Sequence, residues 1–200
     1  MAIFAVKNGI NFVSCVEISM SENFECRKKI EQENLQLFIS NPCERSFCDT
    51  GEHDNSFHLV VSQESFCHAG EYLDQVISES ARILKKDGIL CFSDIMMNED
   101  SKDTSKLELI LDQIKVKRLA TLDDFKNLAK KNNLEFLEYQ DFSYGLKTHY
   151  ENIVMELEKK GDGLNFTKDY QKSLNEELKK WIENCDLQNL KFGIAVFRKI

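Results

Sequence analysis

Residues 57–97, FHLVVSQESFCHAGEYLDQVISESARILKKDGILCFSDIMM, decide the fold of this chain. The stretch begins with an apolar, β-branched run, His58–Val61, which predicts a buried strand. Apolar residues then recur at helical spacing and predict an amphipathic helix over Tyr72–Lys86. Gly88 is expected to end this helix in a left-handed conformation. The apolar run Ile89–Ile95 predicts a second strand.

A strand, a helix and a second strand of this length indicate one parallel crossover unit of an α/β protein. Ligands of open α/β sheets bind beyond the carboxyl ends of the strands. Polar residues cluster at both predicted ends: Ser62, Gln63 and Glu64, with His68, follow the first strand, and Ser93-Asp94 lies in the second. The sequence therefore predicts a ligand site at this edge of the sheet.

The composition is that of a globular protein, and it argues against some partners. The 200 residues are 42% hydrophobic and 30% charged, which fits one domain. The net charge of -8 disfavours unaided binding to nucleic acid or to an anionic membrane. No apolar run is long enough for a transmembrane helix, and the start of the chain lacks the basic residues of a signal peptide.

The seven cysteines are an odd number and show no metal-binding spacing. This favours reduced thiols in a cytoplasmic protein, and no metal is expected. Cys67 next to His68 allows a second interpretation, a nucleophilic cysteine. It is the weaker one, because neighbours along a chain rarely face each other.

The segments on either side continue the alternation of helices and strands. Before residue 57 we expect a helix over Met1–Lys7, a strand over Phe12–Ile18, a helix over Glu22–Glu33 and a strand over Leu35–Ser40. After residue 97 we expect helices around Leu107–Ile114 and Thr121–Lys131, a strand over Leu134–Tyr139, two further helices (the second beginning at Thr167), and a final strand over Lys191–Arg198.

Two motifs carry a resemblance to a known family. The segment RILKKDGIL, residues 82–90, is similar to the RVLKPGG stretch of class I S-adenosylmethionine-dependent methyltransferases. The segment SQESFCHA, residues 62–69, resembles a narrower group, the N-methyltransferases that act on sarcosine, dimethylglycine and phosphoethanolamine. The resemblance runs from near Met1 to Ile200.

The resemblance implies a Rossmann-like α/β fold with a mostly parallel sheet, an antiparallel last strand and flanking helices. In that fold the strands over Val13–Ile18 and His58–Val61 share one sheet, with a further strand between them. It implies a single methyltransferase-like domain in three parts: a partial cofactor-binding core, substrate-covering helices with one strand, and a terminal helix with the last strand (residues 1–98, 99–160 and 161–200). It also places a first strand and a glycine-rich loop before Met1. The only G-x-G in the chain, Gly161-Asp162-Gly163, follows a helix and is expected to be a turn. We therefore expect little or no methyl transfer from residues 1–200 alone.

The cofactor implied by the resemblance is S-adenosylmethionine. Glu17, at the end of the second strand of the fold, would accept hydrogen bonds from its ribose hydroxyls, with Ile18 beside it. Ser46 and Phe47 would pack on the adenine, although Phe47 in the core is an equally open reading. Ser62 and Gln63 complete the expected cofactor-binding residues.

Glu64 and His68 are the candidate catalytic residues. They are four positions apart, so one helical turn would place them on the same face as an amine-binding and proton-accepting pair. Structural roles stay open for two residues. His68 could form a hydrogen bond to the backbone at the start of a helix, and Asp94 could cap a loop at the end of a strand. An aromatic cage for a methylated ammonium is possible, but the aromatic residues mostly follow core periodicity. His149-Tyr150 suits a substrate lid or an exposed helix face.

The resemblance implies N-methylation of a small amine or amino acid such as sarcosine or dimethylglycine. The alternative is a truncated or non-catalytic methyltransferase-like protein that acts as a partner subunit or is a gene fragment. A nucleotide-binding oxidoreductase half is a poorer interpretation, because residues 82–94 match methyltransferases.

Overall fold

The computed structural model of the protein describes residues 1–40, 42–101, 104–160, 163 and 166–200. These residues form two compact units, Met1–Asp54 and Asn55–Ile200, here called unit 1 and unit 2. The described helices are α1 Ala2–Lys7, α2 Met20–Gln32, a 3-10 helix Phe66–Tyr72, α3 Leu73–Ile83, α4 Glu108–Ile114, α5 Leu122–Lys131, α6 Ser143–Lys160 and α7 Lys168–Asp186. The described strands are β1 Val16–Glu17, β2 Cys43–Glu44, β3 Phe57–Gln63, β4 Leu84–Met97, β5 Leu134–Asp141 and β6 Leu190–Lys199.

Unit 1 is built around a short parallel pair, β1 and β2. Val16 is in register with Cys43 and Glu17 with Glu44. An isolated parallel bridge between Val13 and Ile39 extends the pairing. Helix α2 begins at Ser19, whose hydroxyl accepts a hydrogen bond from the Glu22 amide. The predicted strand over 12–18 is thus confirmed only in its second half.

The predicted strand over Leu35–Ser40 is wrong. Asn34 adopts a left-handed φ of 56°, and the Leu35 amide bonds the Ile30 carbonyl, so the chain turns at the end of α2. Leu37 is left 87% exposed. The apolar pattern of these residues therefore reflects surface side chains of a turn, and only Ile39 of this run is buried.

Unit 2 contains a four-stranded sheet in the order β3-β4-β6-β5. Strands β3 and β4 are parallel, and β6 lies antiparallel between β4 and β5. The α/β class and the antiparallel last strand are confirmed. The expectation that the strands over Val13–Ile18 and His58–Val61 share one sheet is not met, since they belong to two separate hydrogen-bonded sheets.

The crossover from β3 to β4 is shorter than predicted. Helix α3 ends at Ile83 rather than Lys86, and β4 begins at Leu84. Asp87, with φ of 62°, takes the left-handed conformation expected of Gly88. A Cβ on Gly88 would lie 2.8 Å from the Lys85 carbonyl oxygen, so glycine is needed there for close backbone approach.

Phenylalanine rings form the centre of unit 2. Phe92 on β4 is fully buried, and its ring centroid lies 5.3 Å from that of Phe66, 4.6 Å from that of Phe125 and 5.9 Å from that of Phe197. Aromatic pairs at such distances stabilise a core beyond the area they bury. These contacts join the sheet to the 3-10 helix and to α5.

A second group of buried residues, here called the Cys67 cluster, packs near the carboxyl end of β4: Cys67, Ile95, Leu107, Ile110, Leu119, Leu146 and Leu190. Half-buried residues of α6 and α7, Tyr150 and Trp181 among them, pack against it. In the part of the chain that the structure describes, no helix is both long and apolar enough to span a bilayer.

Candidate functional site

The segment after β3 has an unusual backbone. Glu64 has a φ of 50°, the left-handed region that non-glycine residues seldom occupy. Its amide donates a 2.8 Å hydrogen bond to the Ser93 carbonyl on β4, and its side chain is exposed. A residue held in this conformation by its surroundings is typical of binding and catalytic sites.

Asp94 anchors the 3-10 helix that follows. Its carboxylate is fully buried and accepts hydrogen bonds from the amides of Cys67 (3.0 Å) and Ile95 (2.9 Å). Burial raises the pKa of Asp94 to about 6, although the donated hydrogen bonds oppose the rise. Of the two roles left open by the sequence, the structure gives Asp94 the capping one.

Cys67 is not suited to nucleophilic chemistry. Burial raises the pKa of its thiol well above the usual range, and the Asp94 carboxylate beside it raises the pKa further. The thiolate is the nucleophilic form of cysteine, so this environment keeps the residue inert. The structure therefore gives no support to the weaker interpretation of Cys67 as a nucleophile.

Glu64 and His68 do not share a helical turn. Glu64 precedes the 3-10 helix, which begins at Phe66. The His68 amide bonds the Ser65 carbonyl at 3.1 Å, and its exposed imidazole makes no hydrogen bond to the described residues. The periodicity argument for the pair is thus wrong, because it assumed a helix that starts earlier; the catalytic roles of both residues stay predictions.

The two expected cofactor-binding residues of β3 differ in access. Gln63 is exposed at the carboxyl end of the strand. The Ser62 hydroxyl is buried, and no described residue gives it a hydrogen bond. Ser62 pairs in register with the buried Phe92. A ligand would reach this hydroxyl only after a local rearrangement, whereas Gln63 is directly accessible.

Unit 1 presents Glu17 at the end of β1. One oxygen of the Glu17 carboxylate accepts a 2.8 Å hydrogen bond from the Ser19 amide. The backbone carbonyl of Glu17 accepts a 2.9 Å hydrogen bond from the Asn23 side-chain amide. These contacts hold the carboxylate in place while leaving its second oxygen available. Ile18 beside it is 69% exposed.

Ser46 and Phe47 follow β2 at the same end of the parallel pair as Glu17. The Ser46 hydroxyl accepts a 3.1 Å hydrogen bond from the Cys48 amide within a tight turn. Both residues are half-buried. Because parallel strands end at one edge, unit 1 brings its four predicted cofactor residues to the same side of its sheet.

A cavity of about 350 Å³ opens where β5 ends and β6 begins, lined by Asn98, Asp141, Ser143, Tyr144, Lys147, Cys185, Gln188, Leu190 and Lys191. Its two lysines already pair with carboxylates, Lys147 with Asp186 and Lys191 with Glu99. None of the predicted site residues lines it. Within the described ranges, no group of three histidine, cysteine or acidic residues could hold a metal ion.

Comparisons with known proteins find methyltransferases in both sequence and structure. Residues 2–92 match the family described as a methyltransferase domain. The chain is 29% identical over 184 residues to a glycine/sarcosine/dimethylglycine N-methyltransferase of Actinopolyspora halophila, covering 91% of this chain but 32% of that protein. It is 25% identical over 189 residues to a sarcosine/dimethylglycine N-methyltransferase of Halorhodospira halochloris, covering 94% of this chain and 67% of that protein.

The solved structures match along nearly the whole chain. A protein of Galdieria sulphuraria, provisionally named a sarcosine dimethylglycine methyltransferase, has a TM-score of 0.92 at 28% identity, covering 99% of this chain and 73% of that one. The chain is thus similar to methyltransferases both in sequence and in fold. It spans from a third to two thirds of the length of the two N-methyltransferases that it matches.

Two more distant solved structures with the same fold hold the methyl donor S-adenosylmethionine or its product S-adenosylhomocysteine. The residues of unit 1 fit this group. The fixed carboxylate of Glu17 has a free oxygen for hydroxyl donors, and the exposed side chain of Ile18 offers apolar contact.

Proposed function

We propose that this chain is the methyl-transferring domain of an enzyme that methylates the nitrogen of a small amine or amino acid, such as sarcosine or dimethylglycine. The observation that carries the proposal is the segment Glu64–His68. It has the strained backbone of a functional site, is fixed to β4 through Ser93 and Asp94, and presents a carboxylate and an imidazole to solvent.

The chemistry requires few groups from the protein. When bound, S-adenosylmethionine supplies the methyl group, and orientation of the acceptor provides much of the rate. An amine near neutral pH carries a proton that must leave before its lone pair can react. We assign the Glu64 carboxylate to binding the ammonium charge and the His68 imidazole to accepting the proton. The rigid anchoring by Asp94 keeps both residues in place.

In this proposal, Glu17 holds the ribose hydroxyls of the cofactor, with Ile18, Ser46 and Phe47 around the adenine. Replacing Glu17 by alanine should weaken S-adenosylhomocysteine binding by about 1.5–3 kcal/mol, the contribution of hydrogen bonds to a charged group. Titration calorimetry measures this. Glu31→Ala, on the exposed face of α2, is the matched control and should bind as the parent chain does.

The activity test is transfer of labelled methyl to sarcosine, dimethylglycine and phosphoethanolamine in parallel. It should be run on this chain and on the chain preceded by the strand and glycine-rich loop of a related methyltransferase, because the resemblance places that segment before Met1. In the active form, His68→Ala should lower turnover by about 10²–10⁴-fold. His58→Ala, on the exposed side of β3, should leave turnover unchanged.

The non-catalytic alternative predicts the opposite result in the same assay. A chain that binds S-adenosylhomocysteine but methylates none of the three acceptors, with or without the added segment, would support a partner subunit. An unaffected His68→Ala variant in an active chain would remove His68 from the mechanism.

We further propose that the protein acts in the cytoplasm on small molecules and without nucleic-acid or membrane partners. The odd number of cysteines without metal spacing supports a reducing compartment. The net charge of -8 works against polyanionic partners.

A further inference from the structure

The cavity where β5 ends and β6 begins is here called the β5–β6 cavity, and the described residues that line it all belong to unit 2. Its volume of about 350 Å³ lies in the range of pockets that hold small organic molecules. Its lining carries charge of both signs: the carboxylate of Asp141 and the ammonium groups of Lys147 and Lys191. Leu190 and Tyr144 also line it and supply apolar carbon.

Asp141 has a carboxylate oxygen to spare. Its Oδ1 accepts a 2.7 Å hydrogen bond from the Ser143 amide at the start of α6. Among the described residues, Asp141 forms no ion pair, although two lysines line the same cavity. Because a carboxylate accepts hydrogen bonds on both oxygens, Oδ2 remains free to bind a cationic group.

The two lysines are held by carboxylates that do not line the cavity. Lys147 Nζ lies 2.5 Å from an oxygen of Asp186 and 3.7 Å from one of Glu151. Lys191 Nζ lies 2.6 Å from an oxygen of Glu99. An ammonium group has three N–H donors, so each lysine keeps at least one donor for a ligand.

The β5–β6 cavity is separate from the segment Glu64–His68, which follows β3. Asp141 is in register with Gly193 on β6, which is in register with Asp94 on β4. In the order β3-β4-β6-β5, β5 is three strands away from β3, which is about 14 Å at the usual strand spacing. A small amino acid is shorter than this, so one molecule cannot contact both Asp141 and the end of β3.

We propose that the β5–β6 cavity is a second ligand site, which binds a small amino acid in its zwitterionic form. The free oxygen of Asp141 accepts a hydrogen bond from the ammonium group, and Lys147 and Lys191 donate to the carboxylate. Such charge-assisted hydrogen bonds are stronger than neutral ones. A zwitterion matches both charges of the lining, whereas a simple cation or anion matches one. A branched apolar side chain, as in valine, suits the neighbouring Leu190 and Tyr144.

Titration calorimetry with valine and two analogues tests the charge pattern. Isobutylamine keeps the ammonium group and side chain of valine without its carboxylate, and 3-methylbutanoate keeps the carboxylate and side chain without the ammonium group. Valine should bind along a saturating curve. Each analogue should bind about 10- to 100-fold more weakly, the range of a hydrogen bond to a charged group. An analogue that binds as tightly as valine, or valine that does not bind, would overturn the proposal.

Two variants test each charge separately. Asp141→Asn should weaken valine binding about 10- to 100-fold without weakening that of 3-methylbutanoate, because only the ammonium contact is lost. Lys147→Gln should weaken valine binding without weakening that of isobutylamine. Lys191 is kept, because its partner Glu99 also accepts a 2.8 Å hydrogen bond from the Leu122 amide at the start of α5.

The matched controls are Asp112→Asn and Lys179→Gln, at exposed positions that do not line the cavity. Both should bind valine as the parent chain does. Circular dichroism checks that each variant is folded. A folded Asp141→Asn variant with the parent's affinity for valine would contradict the assignment of Asp141.

This site is independent of methyl transfer, and the outcomes distinguish the two. A chain that binds S-adenosylhomocysteine but not valine contradicts the cavity site alone. Charge-dependent valine binding in a chain that does not bind S-adenosylhomocysteine supports the cavity site and contradicts the proposed function. Loss of valine binding in Glu64→Gln, with Asp141→Asn unaffected, would move the amino acid to the segment Glu64–His68 and overturn the cavity site.

Discussion

Glu64 combines a side chain of predicted catalytic role with an unfavourable backbone conformation. A non-glycine residue at φ of 50° costs on the order of 1 kcal/mol. The hydrogen bond from the Glu64 amide to the Ser93 carbonyl maintains that conformation. The 3-10 helix that follows, which Asp94 anchors, also maintains it. The sequence identified Glu64 as a candidate through a motif, but the left-handed backbone could not be read from it, because glutamate gives no local signal for that region.

The conformation of Glu64 makes a prediction about stability. At most positions glycine is less stable than alanine by about 0.5–1 kcal/mol. At position 64 the order should reverse, with Glu64→Gly more stable than Glu64→Ala by about 1 kcal/mol, because glycine adopts positive φ without strain. Urea unfolding of the two variants measures the difference, and both lack the carboxylate, so its loss cancels. A less stable glycine variant would mean that this backbone is unstrained.

Asp94 makes unfolding depend on pH in a defined direction. Its folded-state pKa of about 6 lies above the ordinary value of 3.8, so the folded protein favours the protonated form. The stabilisation linked to this proton is fully present below the ordinary pKa and is lost as the pH rises through about 6. This loss amounts to about 2–3 kcal/mol. Asp94→Asn should remove this component of the pH dependence.

The measurement compares urea unfolding of parent and Asp94→Asn chains across this pH range. Asp112→Asn, at an exposed position on α4, is the matched control and should retain the parent's pH profile. An Asp94→Asn variant with the same profile as the parent would show that Asp94 does not titrate there.

At the scale of elements, the periodicity of apolar residues predicted the helices and strands that bury one apolar face. It did not predict the places where the backbone turns. Helix α5 with its Thr121 capping box and strand β6 follow their patterns, because each buries one apolar face. The strand predicted over Leu35–Ser40 failed since Asn34 turns the chain after α2. The position of β6 between β4 and β5 required long-range pairing, which no local pattern contains.

Gly193 illustrates such a long-range requirement. It lies on β6 between Asp94 on β4 and Asp141 on β5. A Cβ there would meet the Gln140 carbonyl and lie 2.5 Å from Cε2 of the Tyr139 ring. Gly193→Ala should therefore destabilise the protein by about 1–3 kcal/mol through overpacking against backbone. Gly145 in α6 has nothing near its Cβ position, and Gly145→Ala should stabilise by about 0.5–1 kcal/mol.

The two glycine variants are compared by urea unfolding at one pH. We predict that Gly193→Ala lowers and Gly145→Ala raises the free energy of unfolding. Intrinsic residue propensity alone does not predict this difference in sign. A neutral Gly193→Ala variant would show that β5 shifts without cost and that the strand order is less constrained than its packing indicates.

At the scale of the whole molecule, the sequence predicted the α/β class and the antiparallel last strand. It did not predict that β1 and β2 pair only with each other among the described strands. The family resemblance places another strand between the regions of β1 and β3. The expectation that β1 and β3 share one sheet therefore depended on that strand, which the resemblance places before Met1. The turn predicted at Gly161-Asp162-Gly163 lies largely outside the described residues.

The two units should differ in hydrogen exchange, and the cofactor product should change one of them. In unit 2, β4 and β6 each bond strands on both sides, whereas β1 and β2 form two register pairs. Amides of β4 and β6 should therefore exchange slowest, and those of β1 and β2 much faster, because local opening there breaks few bonds.

S-adenosylhomocysteine at about 100 times its dissociation constant should slow exchange around Glu17 by up to about 100-fold, if opening requires its release. Mass spectrometry of peptic fragments resolves both effects, with Glu31→Ala protected as the parent is and Glu17→Ala losing the ligand-dependent protection. Protection of β6 alone by the ligand would contradict the assignment of Glu17 to the cofactor.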